Sequence, residues 1–339
     1  VYSVTVEDSR TCQAFLTGIS IAEPDELLVG LESKSDVTCN SYADGTINII
    51  VAGSTPEYTF SWEKDGIAYA DTEDLSGLFP GVYAVTVVDS KGCLAYLTGI
   101  TVTEPDELLV ELDSKTDVSC NGDSDGSISI TVTGGTPEYT FSWEKDGISF
   151  SITEDLNGLS PGVYSVTVED SNGCLAYLAG VTITEADELI VELDSKTDVT
   201  CNGDSDGSIA ITVSGGTPEY TYSWEKDGIS FASTEDLSGL SPGVYSVTVE
   251  DSNGCLGYLS GVTITEPDEL LVSFDSTSDV TCYRESYGCI SITVSGGPPE
   301  YTYSWDKDGI AFAITEDLSG LSPGVYSVTV EDSHGCLAY

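Results

Sequence analysis

The chain has 339 residues and a formal net charge of −48, from 58 acidic residues against 10 lysines and arginines. That balance excludes nucleic acid and anionic membranes as direct partners, because both need basic patches. Hydrophobic residues make up 40 % of the chain in a regular pattern, unlike a disordered acidic tail, and no apolar run approaches the roughly 20 residues of a membrane span.

Repetition at a fixed period organises everything else. Trp62, Trp143, Trp224 and Trp305 recur every 81 residues. The stretch 160–174 returns unchanged at 241–255, with small edits at 79–93 and 322–336, and truncated at 1–12. There is no methionine, and both ends fall inside a unit, so the chain reads as an interior piece of a longer repetitive protein. Glu-Pro-Asp-Glu-Leu marks the boundaries at 23–27, 104–108 and 266–270; at 185–189 Ala186 replaces the proline. The expected division is the end of one repeat at 1–24, full repeats at 25–105, 106–186 and 187–267, and a truncated one at 268–339.

The second repeat gives the expected elements in order. Residues 108–120 are extended, with a break near Asp113-Ser114, and 121–126 form a polar loop. Strand 127–133 alternates, with Ile128, Ile130 and Val132 facing in. Gly134-Gly135-Thr136-Pro137 is turn chemistry. Strand 139–144 turns Tyr139, Phe141 and Trp143 inward. Lys145-Asp146-Gly147 turns the chain into a short strand at 148–150, and 153–159 is a short strand and bend. Strand 164–169 puts Tyr164, Val166 and Val168 on one face and Ser165, Thr167 and Glu169 on the other. Asp170-Ser-Asn-Gly173 is a hairpin turn, because Asn-Gly accepts positive φ; the last strand is 175–184.

Seven short strands with regular turns predict an all-β chain of tandem immunoglobulin-like sandwiches of 81 residues. The tryptophan column is read as core, with sugar stacking as the sharper alternative. Tyr164 opens its strand where a tyrosine corner belongs. The junctions carry no Gly/Ser-rich linker, so the repeats are expected to stack as a rod, four of them extending on the order of 150 Å.

Cysteines fall in two columns: Cys12, Cys93, Cys174, Cys255 and Cys336, and Cys39, Cys120, Cys201 and Cys282, with Cys289 extra. Without CxxC spacing they suggest disulfides and an oxidising compartment; buried free thiols are the alternative. In an up-and-down sandwich, Cys39 and Cys93 lie at opposite ends of one repeat, beyond the roughly 7 Å a disulfide allows. That favours pairing between neighbours, Cys39 with Cys174, Cys120 with Cys255 and Cys201 with Cys336. The simpler alternative, Cys39 with Cys93 and its equivalents, stays open. So does a local Cys282–Cys289 bridge across 283–288, against Cys289 as a stray thiol.

Asn121, Asp123 and Asp125, and likewise Asn202, Asp204 and Asp206, set oxygen ligands at alternate positions before glycine. This resembles the first half of a calcium loop. The distal glutamate is missing, since Val132 and Val213 stand at the twelfth position; an Asx-rich hairpin loop is the alternative. Calcium is the one cofactor expected. Enzyme chemistry has no repeated basis: His334 is the only histidine, and carboxylate pairs such as Glu154-Asp155 lie in polar segments rather than a marked cleft.

Several motifs occur together and in order. They are Val199-Thr-Cys-Asn-Gly-Asp-Ser-Asp-Gly207, Gly215-Gly-Thr-Pro-Glu-Tyr-Thr-Tyr-Ser-Trp224, Leu240-Ser-Pro-Gly-Val-Tyr245 and Val249-Glu-Asp-Ser-Asn-Gly-Cys255. Together they resemble the SprB repeat of very large cell-surface proteins of gliding Bacteroidetes, across all four units. The loops at 40–45 and 283–288 have lost parts of the pattern. The resemblance implies an exported, extracellular, non-catalytic repeat acting as an adhesin stalk or filament in adhesion and gliding. The expected partners are neighbouring repeats, identical chains in a filament, and a surface or polysaccharide target. A structural fibre or surface-layer subunit is one alternative. A carbohydrate-binding array is another, with Tyr96, Tyr177, Tyr258 and Tyr339 as its candidate column.

Overall fold

The protein is described from a computed structural model covering residues 1–282 and 285–339; Tyr283 and Arg284 of the altered fourth loop lie outside the described residues. Among the described residues the regular structure is entirely strand, and no helix is long and apolar enough to cross a membrane. The chain divides into two compact units, 1–116 with 127–183, and 117–126 with 184–339.

In the first unit an antiparallel hairpin, β1 (Tyr2–Glu7) and β2 (Gln13–Ile19), precedes a seven-strand repeat. The repeat comprises β3 (Leu28–Ser35), β4 (Gly45–Ala52), β5 (Thr59–Lys64), β6 (Ile67–Ala70), β7 (Leu75–Leu78), β8 (Gly81–Val88) and β9 (Leu94–Val102). One sheet has the order β3-β4-β7 and the other β6-β5-β8-β9, with all pairs antiparallel. The same seven strands and two sheets follow from Leu109 to Ile183. In the second unit they recur from Ile190 to Ile264 and from Leu271 to Ala338.

Period-two alternation makes the core. Ile47 and Ile49 of β4 and Tyr83, Val85 and Val87 of β8 enclose Trp62, which is fully buried. The Trp62 indole N–H donates to the Thr72 carbonyl at 2.9 Å, and Trp143, Trp224 and Trp305 do the same with Thr153, Thr234 and Thr315. These tryptophans are unavailable for sugar stacking: none exceeds 3 % exposure. Truncating such a residue costs about 3–5 kcal/mol. The Tyr83 hydroxyl donates to the Phe79 carbonyl at 2.8 Å, closing a tyrosine corner that recurs at Tyr164, Tyr245 and Tyr326. Asp65 and Gly66 take φ of 54° and 78°, which gives the β5–β6 hairpin a turn whose twist matches its strands.

Some expectations shift by detail. The break near Asp113-Ser114 is a bulge between Leu112 and Ser114 inside one strand, Leu109–Thr116. Val132, Tyr139 and Phe141 are half-buried rather than core. The short strand within 153–159 narrows to Leu156–Leu159.

The two ends of a repeat hold different chemistry. At the entry end, Ser54 N–H donates to the Asp25 carbonyl at 2.8 Å, and its hydroxyl donates to Asp89 in the last hairpin, beside Cys93. At the exit end, the loop carrying Cys39 is bonded to the departing segment: Val37 N–H donates to the Thr103 carbonyl at 2.9 Å. Cys39 and Cys93 therefore sit at opposite ends, so the within-repeat disulfide does not form.

Candidate functional site

What recurs outside the cores is the joint where one repeat passes to the next. In the first unit the loop after β3 is tied to the outgoing chain on three sides. Asp36 accepts from Lys34 Nζ and Thr103 N–H, both at 2.8 Å. Those two donors hold its carboxyl below the usual range. Asn40 donates its amide to the Pro105 carbonyl at 3.2 Å, and Glu104 accepts from Ser41 N–H at 2.6 Å. Asp44 closes the loop on itself, accepting from both the hydroxyl and the N–H of Thr38.

The next repeat then docks its last hairpin. Asn172 donates to the Thr38 carbonyl at 3.1 Å, and Cys174 bonds Cys39. Cys39, Leu108, Cys174 and Ala176 form a small buried cluster, with Val110, Val132 and Tyr139 against it.

The second unit repeats this joint twice. At the first, Gly122 N–H donates to Glu185, Asn121 to the Ala186 carbonyl and Asn253 to the Ser119 carbonyl, and Cys120 bonds Cys255. At the second, Gly203 N–H donates to Glu266, Asn202 donates to the Pro267 carbonyl, and Cys201 bonds Cys336. His334 Nδ1 lies 3.3 Å from the Thr200 carbonyl, where the other joints use asparagine, so the lone histidine belongs to a joint. Ala186 can replace proline because the joint uses only that residue's carbonyl.

The acidic-loop residues are spread over these duties. Asp125 and Asp206 accept from Ser119 and Thr200 N–H at 3.0 and 2.9 Å, and the same residues' side chains and amides hold both carboxyls low. Asn121 and Asn202 spend their amides on junction carbonyls, while Asp123 and Asp204 stand in the turn after each cysteine. Among the described residues no three acidic, histidine or cysteine side chains converge as a metal site. Raising monovalent salt should raise the melting temperature. Relief of repulsion at −48 outweighs weakened pairs such as Lys34–Asp36, since exposed pairs contribute at most about 1 kcal/mol. Calcium at matched ionic strength tests the loops as a cation site: an extra rise lost in Asp123→Ala would show a bound ion.

Cys12, Cys93, Cys282 and Cys289 are free and exposed. The local Cys282–Cys289 bridge is not formed. Cys289 is held in strand Gly288–Ser295 opposite Ser278, in the place Ser127 takes in the second repeat.

Each last hairpin is organised by a buried aspartate that sequence reasoning passed over. Asp170 accepts from Asn172 and Cys174 N–H with one oxygen and from Thr136 N–H with the other. Burial pushes its pKa up, but these backbone donors more than offset that and leave it lowered. Asp251 is bonded in the same way by Asn253, Cys255 and Thr217. In the fourth repeat Pro298 replaces that threonine and has no N–H to give. Asp332 Oδ2 is accordingly buried without a hydrogen bond. An orphaned buried acceptor costs about 1–3 kcal/mol, and giving up proline costs about 0.4–1 kcal/mol. Pro298→Thr should therefore stabilise the fourth repeat by about 1 kcal/mol in denaturant melts, and Thr217→Pro should destabilise the third.

Two sheets per repeat, recurring in tandem along the chain, define the class: a tandem array of immunoglobulin-like β-sandwiches. The SprB repeat model matches four times across the chain, at 31–66, 112–147, 193–228 and 275–309, once in each repeat. No curated protein matches it. Three solved structures give the measure of the likeness. Three N-terminal domains of the bacteriophage RB49 outer capsid protein Hoc match at 16 % identity and TM-score 0.36, covering 71 % of this chain and 98 % of that one. A structure titled for host cell surface retention of a 1.5-MDa bacterial ice-binding adhesin gives the same figures. A tetra-tandem repeat from the extending region of a large adhesion protein matches at 13 % and 0.29, covering 92 % and 97 %. Likeness at that level says nothing about function.

Proposed function

We propose that this chain is a non-catalytic segment of a large secreted protein displayed at the cell surface, serving as a stalk in adhesion and gliding. The observation that carries the proposal is the repeated joint. Three times, a hydrogen-bonded loop, a junction and a hairpin are closed by a disulfide between neighbouring SprB repeats. Such bonds form and persist in oxidising surroundings, which supports export. A net charge of −48 disfavours lateral association of like chains, which supports single stalks over a bundled fibre. Antibody labelling of intact cells, with gliding and attachment scored after in-frame removal of these repeats, tests the reading. Label confined to the cell interior, or unchanged attachment and gliding, would overturn it.

Tyr96, Tyr177 and Tyr258 support a second reading, a carbohydrate-binding array. They lie 62–66 % exposed on edge strands, at the same place in each repeat. Glycan-array binding abolished by changing all three to alanine would favour it.

A further inference from the structure

We infer that the disulfides reroute mechanical load, so that the chain acts as a tension member whose cores are kept off the line of force. The inference rests on the stalk reading only for where a load would come from; the route itself follows from covalent connectivity.

Each bond spans 135 residues, although neighbouring repeats are 81 apart, so successive bonds overlap along the sequence. A pull between the two ends follows the shortest covalent path. From the N-terminus it reaches Cys39, crosses to Cys174, follows the chain to Cys201 and crosses to Cys336. Residues 40–173 and 202–335 lie outside that path. They include all four tryptophans, all four corner tyrosines and the buried hairpin aspartates. Between the two bonds the loaded segment is 174–201: the last strand of one repeat (Leu175–Ile183), the junction, and the first strand of the next (Ile190–Thr197). The Cys120–Cys255 bond lies off the shortest path and is a reserve. Should either outer bond be missing, it offers an alternative crossing.

The consequence is a ceiling on extension. The loaded path holds about 70 residues, so even complete unfolding lets the ends separate by only about 250 Å; the reduced chain of 339 residues reaches about 1,200 Å. Strands within 40–173 and 202–335 can unfold without lengthening the molecule, and they can refold without working against the load.

The test is single-molecule stretching of the full chain held by its two ends. The oxidised protein should stop lengthening near 250 Å and, on adding reductant under tension, lengthen about fivefold. Cys120→Ala with Cys255→Ala should leave the oxidised limit unchanged. Cys201→Ala with Cys336→Ala lengthens the shortest path to about 180 residues, through Cys39–Cys174, back along the chain to Cys120 and across to Cys255, and should raise the limit about two and a half times, to about 630 Å. An oxidised limit near that of the reduced chain, or equal limits for the two double variants, would overturn the inference. Reduction of wild type under tension needs no variant to fold. Failure of the stalk reading would show in cell labelling and leave these lengths untouched.

Discussion

Replacing Cys120 and Cys255 by alanine is expected to lower the unfolding free energy of the second unit by about 5 kcal/mol, the value for closing a loop of this size in the denatured chain. The bond closes 135 residues, and the other two disulfides offer no shorter route between its ends. The stabilisation is therefore not shared with them. Guanidinium melts under non-reducing conditions, followed by fluorescence of the buried Trp224, would measure the loss. A difference under about 1 kcal/mol would mean that the reduced chain already holds the joint by Asn253, Glu185 and Asn121. Cleavage at 185–189 gives an independent readout. Cys120–Cys255 is the disulfide that bridges that cut, so under denaturing, non-reducing electrophoresis wild-type fragments should stay joined until reduced, and those of the double variant should run apart.

The interior of each repeat was legible because local pattern and buried face agree. Alternation placed the strands, Trp143 sat mid-strand, and Leu-Ser-Pro-Gly-Val before Tyr164 marked the corner. Even the break at Asp113-Ser114 appeared where the bulge lies. These are short-range signals, and a half-buried sheet enforces them residue by residue.

The joint was only half legible. The 81-residue cysteine columns and the up-and-down chain course favoured bonds between neighbours, but nothing local marked the residues that seat them. Asp36 and Glu104 look like any of 58 acids until one knows that loop and junction meet at the exit end. The alternating Asn-x-Asp-x-Asp loop looked like cation chemistry. Its last aspartate caps a backbone amide in the same loop, the local use that short polar side chains always offer. The columns of Asp170 and Asn172 did carry a signal: an aspartate four residues before each hairpin cysteine can receive that cysteine's N–H. Asn172 needed the neighbouring repeat to be interpretable.

The hairpin aspartate gives the second large effect. Asp251 is 5 % exposed and accepts from Thr217 N–H at 2.8 Å and from Asn253 and Cys255 N–H at 2.9 Å. Asp251→Ala leaves three backbone donors, that of the buried Cys255 among them, without their acceptor, and a loss of about 3 kcal/mol is expected after partial rescue by water. Asp251→Asn should lose less, since its carbonyl oxygen can keep the hairpin amides, but its NH₂ then faces the Thr217 donor. The pH dependence has a definite sign. Burial alone would raise the carboxyl's pKa, but the backbone donors prevail and hold it below the ordinary 3.8. A lowered folded pKa contributes stability that is present above the unfolded value, about 3.9, and is lost as pH falls through the folded one. The gap between wild type and Asp251→Ala should thus be constant from pH 7 to about 5 and narrow only below about 4. Paired denaturant melts across that range would read it. A gap that held at pH 2 would show that Asp251 acts by shape and not as a charged acceptor.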